Sequence, residues 1–63
     1  MMLNEIRRVV EILDAAGVPG NAYFDMQHDI LYIPFEEERG DVADQLEAAG
    51  CHWESESGSW ATF

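Results

Sequence analysis

Apolar residues at steps of three and four open the chain. Leu3, Ile6, Val10 and Leu13, with Val9 and Ala16 beside them, form one stripe of an amphipathic helix. Gly17 stands where a helix end takes a left-handed residue, and Pro19 prevents the helix from resuming. The period then changes to two. A two-residue turn at His28-Asp29 would set Gln27 opposite Ile30, Met26 opposite Leu31, Asp25 opposite Tyr32 and Phe24 opposite Ile33. That register puts Phe24, Met26, Leu31 and Ile33 on a core face. Tyr23, Asp25, Gln27, Ile30 and Tyr32 share the other face.

The second half repeats the scheme more weakly. Val42, Leu46 and Ala49 make a narrow helical stripe, with Phe35 one step further back. Its start is open between Glu37 and Asp41. Asp41 fits an N-cap, Glu36, Glu37 and Glu38 fall where a helix N-terminus favours negative charge, and Gly40 disfavours the earlier start. A second hairpin turns near Ser57-Gly58. Alternation sends Cys51, Trp53, Trp60 and Thr62 inward and His52, Glu54, Glu56, Ser59 and Ala61 outward.

The two halves also match in wording. Glu11-Ile12-Leu13-Asp14-Ala15-Ala16-Gly17 is answered by Asp44-Gln45-Leu46-Glu47-Ala48-Ala49-Gly50, and Phe24-Asp25 by Trp53-Glu54. The expectation is one α+β domain, residues 1–63, of two αββ half-repeats at about 3–35 and 37–63. A four-stranded antiparallel sheet carrying both helices on one face satisfies both patterns. Strand order is not set by the pattern, and an uncovered sheet edge leaves monomer or dimer open.

Charge changes the picture most. Thirteen acids stand against three bases, a formal charge of −10 without a single lysine. Such a charge opposes compaction of a small domain, so it asks for an explanation in partners or surroundings. Between Asp25 and Glu56 lie Asp25, Asp29, Glu36, Glu37, Glu38, Asp41, Asp44, Glu47, Glu54 and Glu56, with Arg39 as the one base. Steps of four, three and three would line Glu37, Asp41, Asp44 and Glu47 along one helix. Glu54 and Glu56 would point the same way from one strand, about 6–7 Å apart, a spacing comparable with phosphates along a nucleic-acid strand. Tyr23 and Tyr32 among these acids suit a protein-binding surface, since tyrosine offers area at low entropic cost. An ordinary half-solvated sheet face is the competing reading.

Other classes lose ground on composition. With 48% hydrophobic residues the chain should fold, and the lone Cys51 fits a reducing cytoplasm. No apolar run approaches a membrane span, and the charge argues against direct contact with nucleic acid or anionic lipid. No metal, cofactor, small-molecule substrate or catalysis is expected. Cys51 and His52 should point to opposite faces, no phosphate loop or nucleophile arrangement occurs, and acid pairs are too abundant to be informative.

A tiny, lysine-free, strongly acidic chain of two helix-hairpin units without a catalytic motif resembles the small phage-encoded anti-CRISPR proteins, in particular those directed at type I-C systems. That resemblance implies a cytoplasmic, stoichiometric inhibitor. Its partner would be a basic surface of a CRISPR surveillance complex (Cascade), in the large subunit where target DNA enters. A groove that holds duplex DNA must be basic, so the protein would act there as a DNA mimic. Glu36, Glu37, Glu38, Asp41, Asp44, Glu47, Glu54, Glu56 and Asp25 would supply charge, with Tyr23 and Tyr32 as anchors. Two alternatives stand beside it: an acidic interaction module or antitoxin-like protein neutralising another basic partner, and an acidic halophile housekeeping protein. A plain solvated face that aids solubility needs no partner at all.

Overall fold

The structure, a computed structural model, describes residues Met2–Thr62. Its elements run α1 (Leu3–Ala15), β1 (Asp25–Gln27), β2 (Ile30–Ile33), α2 (Asp41–Ala48), β3 (His52–Glu54) and β4 (Ser59–Thr62). This is the expected α+β arrangement of helix, strand, strand, twice over. The four strands form one antiparallel sheet in the order β1-β2-β4-β3. The last strand of each half therefore lies in the centre, and exchanging the halves leaves the order unchanged. Leu31 faces Thr62, Tyr32 faces Ala61 and Ile33 faces Trp60 across the middle.

Both helices end in the same way, which is why the matching Ala-Ala-Gly runs matter. Gly17 (φ +85°) donates to the Asp14 carbonyl at 3.1 Å, while Val18 donates to that of Leu13 at 3.1 Å. Gly50 (φ +100°) donates to Glu47 at 3.1 Å, while Cys51 donates to Leu46 at 3.0 Å. These are paired 5→2 and 6→1 closures around a left-handed residue, a conformation that glycine adopts without a Cβ penalty. The first hairpin has the register expected of a two-residue turn, Gln27 to Ile30, Met26 to Leu31 and Asp25 to Tyr32. His28 and Asp29 both sit at positive φ, 52° and 66°, as a primed turn demands.

The core is one layer between sheet and helices. Val9, Ile12 and Leu13 of α1 and Ala43 and Leu46 of α2 close over Ile33, Cys51 and Trp60, with Phe24, Phe35, Val42 and Trp53 packed around them. Trp53 and Trp60 face each other across β3 and β4, their rings edge-on at 5.9 Å and 70°, a favoured aromatic geometry.

Several expectations need correction. The buried stripe of α1 is Val9, Ile12 and Leu13, whereas Leu3, Ile6 and Val10 remain exposed. The apolar arc of that helix is wider than its contact with the sheet, so spacing alone could not say which flank is covered. Helix α2 starts at Asp41 with Gly40 as its cap; Asp41 is the first helical residue and caps nothing. Glu37 is therefore outside the helix, and the row of carboxylates shortens to Asp41, Asp44 and Glu47. The second turn takes four residues, Ser55 to Gly58, between paired Glu54 and Ser59, so Glu56 belongs to the turn. Its separation from Glu54 is not that of a strand. Met26 points to the helix side yet is exposed, because neither helix reaches it. Ala61 points to the open side yet is fully buried. It is the smallest member of a cross-strand row, set between Tyr32 and His52, whose larger side chains shelter it.

Candidate partner-binding surface

The acids occupy two faces of the sheet and the loop that joins them. Asp41, Asp44 and Glu47 are exposed on α2, in the helix layer. Asp25 and Tyr32 are opposite one another on the open face, where Tyr23 precedes β1 and Glu54 ends β3. Between these faces, Glu36, Glu37 and Glu38 follow β2 around the end of the sheet.

That loop is fastened down. The indole N–H of Trp60 donates to the Glu37 carbonyl at 2.8 Å, and the Trp60 backbone N–H donates to the Phe35 carbonyl at 3.2 Å. Phe35 in turn donates to Ile33 at 2.7 Å. A residue at the centre of the core thus holds the backbone of the acidic loop, while the carboxylates of Glu36, Glu37 and Glu38 stay in solvent. Burying an indole requires a partner for its N–H, and here the partner is the loop itself.

On the open face, Tyr23, Asp25, Tyr32 and Glu36 line one cleft of about 410 Å³ together with Gln27, Pro34, Ser57 and Ser59. The sheet builds this cleft by alternation. Tyr23, Asp25 and Gln27 share a face at steps of two, Tyr32 pairs with Asp25, and the central β2–β4 contact brings in Ser59. The Gln27 side-chain amide donates to Asp25 Oδ2 at 2.7 Å, and the Ser57 and Ser59 hydroxyls are 3.1 Å apart. The Glu56 backbone N–H donates to Glu54 Oε1 at 3.2 Å, which ties that carboxylate to its own turn. Two tyrosine faces beside two carboxylates favour a cation by charge and by ring quadrupole together.

Four of the eleven residues picked from the sequence, Tyr23, Asp25, Tyr32 and Glu36, therefore meet in one place. Glu37 and Glu38 adjoin it on the loop. Asp41, Asp44 and Glu47 lie on the opposite face, and Glu54 and Glu56 belong to the second hairpin. Sequence reasoning missed Ser57, Ser59 and Pro34, because their place depends on β2 lying beside β4. Gln27 was within reach, since it shares the face of Asp25.

Little else on the chain suggests chemistry. Cys51 is buried, and its thiol is pushed up to about 11 by burial and, secondarily, by the Glu5 carboxylate. A thiol held protonated is a poor nucleophile at neutral pH. Among the described residues, no group of three or more His, Cys, Asp and Glu side chains could hold a metal ion. No described helix is long and apolar enough to cross a membrane. The ion pair between Arg8 and Glu11, at 3.8 Å, lies on α1, away from the acidic stretch.

No family model, curated protein or solved structure matches the chain.

Proposed function

We propose that this protein is a non-enzymatic inhibitor that docks its acidic surface onto a basic, nucleic-acid-binding surface of another protein. The target we put first is the DNA-entry groove in the large subunit of a type I-C CRISPR surveillance complex, where the inhibitor takes the place of target DNA. The observation that carries this reading is the acidic loop at Glu36–Glu38, anchored through Trp60 and flanked by carboxylates on both sides of the sheet. An anchored row of charges loses less entropy on docking than a mobile one. Opposite charge on the target speeds encounter and fixes orientation. Asp25, Glu36, Tyr23 and Tyr32 would receive an arginine or lysine of the target in the open-face cleft.

A gel-shift of PAM-containing duplex DNA by purified type I-C complex tests the proposal. Near-equimolar protein should abolish the shift, and the effect should weaken as salt rises. The triple change Glu36→Lys, Glu37→Lys and Glu38→Lys should restore DNA binding while the far-UV spectrum is kept. An unchanged shift with the wild-type chain rejects DNA competition at this complex. A pull-down for another basic partner would then decide for an antitoxin-like module.

A further inference from the structure

The cleft on the open sheet face is lined by side chains that mainly accept hydrogen bonds. Asp25 and Glu36 bring two carboxylates, and among the described residues no lysine, arginine or histidine lines the hollow. We propose that this cleft is a guanidinium site, which takes an arginine side chain of the basic partner and selects arginine over lysine. The proposal deepens the docking reading and rests on it for the partner being a basic protein; the selectivity belongs to the cleft itself.

The hydrogen bonds already made decide what the wall still offers. The Ser57 hydroxyl donates to the Glu54 carbonyl at 3.3 Å, so its one proton is committed. The 3.1 Å contact between the Ser57 and Ser59 hydroxyls then requires Ser59 to be the donor. Both protons are taken, and Ser59 Oγ lines the cleft with lone pairs alone. Gln27 gives one N–H to Asp25 Oδ2 at 2.7 Å, which leaves its carbonyl oxygen as a further acceptor. A carboxylate has about four lone-pair sites, so Asp25 accepts this bond and still has room for a two-pronged donor. The side-chain donors that remain are the second Gln27 N–H and the two tyrosine hydroxyls, which also accept. The complementary ligand is a cation with many N–H groups and no acceptor.

Three kinds of cation compete, and their chemistry separates them. A metal ion lacks ligands here: among the described residues, no group of three or more His, Cys, Asp and Glu side chains could hold one. An ammonium is a compact, strongly hydrated charge, and in a cleft open to solvent it keeps its water. The cleft is open at Tyr23, which is 82% exposed. A guanidinium is planar and more weakly hydrated, and its fork of N–H donors matches a carboxylate. It also stacks on aromatic faces, of which Tyr23 and Tyr32 supply two. Tyr32 is half-buried directly across from Asp25 on the neighbouring strand. Opposed Cβ atoms lie about 4.5–5.5 Å apart, so one cation reaches the ring and the carboxylate together.

Size and place point to a side chain presented by a protein. The volume of about 410 Å³ lies near the lower end of the roughly 300–1,000 Å³ of small-ligand sites. Glu37 and Glu38 follow Glu36 on the loop held by Trp60. An arginine on a basic surface therefore brings neighbouring positive charges over that loop, which a free amino acid does not. Charge complementarity runs on from the cleft to the loop without a break.

The test is a chemical-shift titration of the isotope-labelled full chain at about 0.05 M sodium chloride, with N-acetyl-arginine methylamide and N-acetyl-lysine methylamide as probes. Arginine should give saturable shifts at Asp25, Gln27, Tyr32 and Ser59, with a dissociation constant on the order of 1–10 mM. Lysine should bind at least about threefold more weakly. Asp25→Asn and Tyr32→Leu should each weaken arginine binding at least about fivefold. Glu11→Gln removes the same unit charge from α1 and should change nothing. Should Tyr32→Leu lose its circular dichroism, Tyr23→Ser at its exposed position carries the test and should narrow the advantage of arginine over lysine. No saturable shift up to about 50 mM arginine probe, or equal affinity for the two probes, overturns the proposal. So does an equal loss in Glu11→Gln and Asp25→Asn. Arginine binding with an unchanged DNA gel-shift leaves the cleft in place and rejects the inhibitor's target. An abolished gel-shift without arginine binding keeps the inhibitor and rejects the cleft.

Discussion

Replacing Trp60 by phenylalanine separates two jobs that one side chain performs. The indole fills the centre of the core, only 3% exposed, and its N–H holds the Glu37 carbonyl at 2.8 Å. Phenylalanine keeps a six-membered ring for the edge-on contact with Trp53 but removes the donor and part of the ring volume. The lost hydrogen bond is worth about 0.5–1.5 kcal/mol net. The missing ring atoms leave a small cavity with its own transfer and packing cost, about 1–2 kcal/mol when scaled down from complete truncations of aromatic residues. The sum is about 1.5–3.5 kcal/mol. For a 63-residue chain with total stability of about 3–9 kcal/mol, that is a substantial fraction. Urea unfolding followed by far-UV circular dichroism should show a lower midpoint at unchanged slope. Trp53→Phe is the control, because among the described residues Trp53 makes no bond to the loop. Amide exchange at Glu37 to Gly40 should accelerate in Trp60→Phe well beyond its change in Trp53→Phe. A loss below about 0.5 kcal/mol, or equal losses and equal exchange in the two variants, would refute the anchoring role.

The turn at His28-Asp29 holds two non-glycine residues at positive φ. His28→Asn with Asp29→Gly should therefore raise stability by about 0.5–1.5 kcal/mol in the same urea assay. Cys51 gives a pH signature. Its thiol ionises near 9.0 when unfolded and near 11 when folded, so above pH 9 the unfolded chain binds fewer protons than the folded one. Stability should fall as pH rises from about 9 to 11, by up to roughly 2–3 kcal/mol, and stay flat below that window. Subtracting the profile of Cys51→Ala isolates this contribution, and equal slopes for the two proteins would show that the thiol is not held protonated. Sodium chloride should raise the thermal midpoint of the wild-type chain by screening the charge of −10, with little effect once the three α2 acids are reversed to lysine.

How far the sequence could be read depended on what kind of information each feature needs. The first hairpin was legible because a two-residue turn fixes every cross-strand pair, and the pairs from Asp25 to Tyr32 came out as expected. The helix ends were legible because Gly17 and Gly50 carry local closure chemistry. The pairing of β2 with β4 was not, since alternation in two strands says nothing about which lie side by side. The cleft inherits that blindness, as Ser59 enters it only through that pairing. The flank of α1 failed for a related reason. Leu3, Ile6 and Val10 and the true core set share Leu13, and only the oblique path across the sheet decides between them.

The placement of charge and apolar surface follows from one constraint. A domain this small has one core layer, and its helices cannot cover a whole four-stranded sheet. What they miss must be either polar or matched by another surface. The second hairpin takes the polar solution with its glutamates and serines. The first takes the apolar solution at Met26 and Leu31, next to the one helix whose charges nearly balance. The loop whose backbone Trp60 anchors carries three of the acids, while α1 holds both Arg7 and Arg8. Spreading Arg7 and Arg8 among the acids of α2 would lower the repulsion of the monomer. The observed placement instead leaves α1 at a net charge of −1 (Glu5, Glu11 and Asp14 against Arg7 and Arg8) and α2 with three acids and no base.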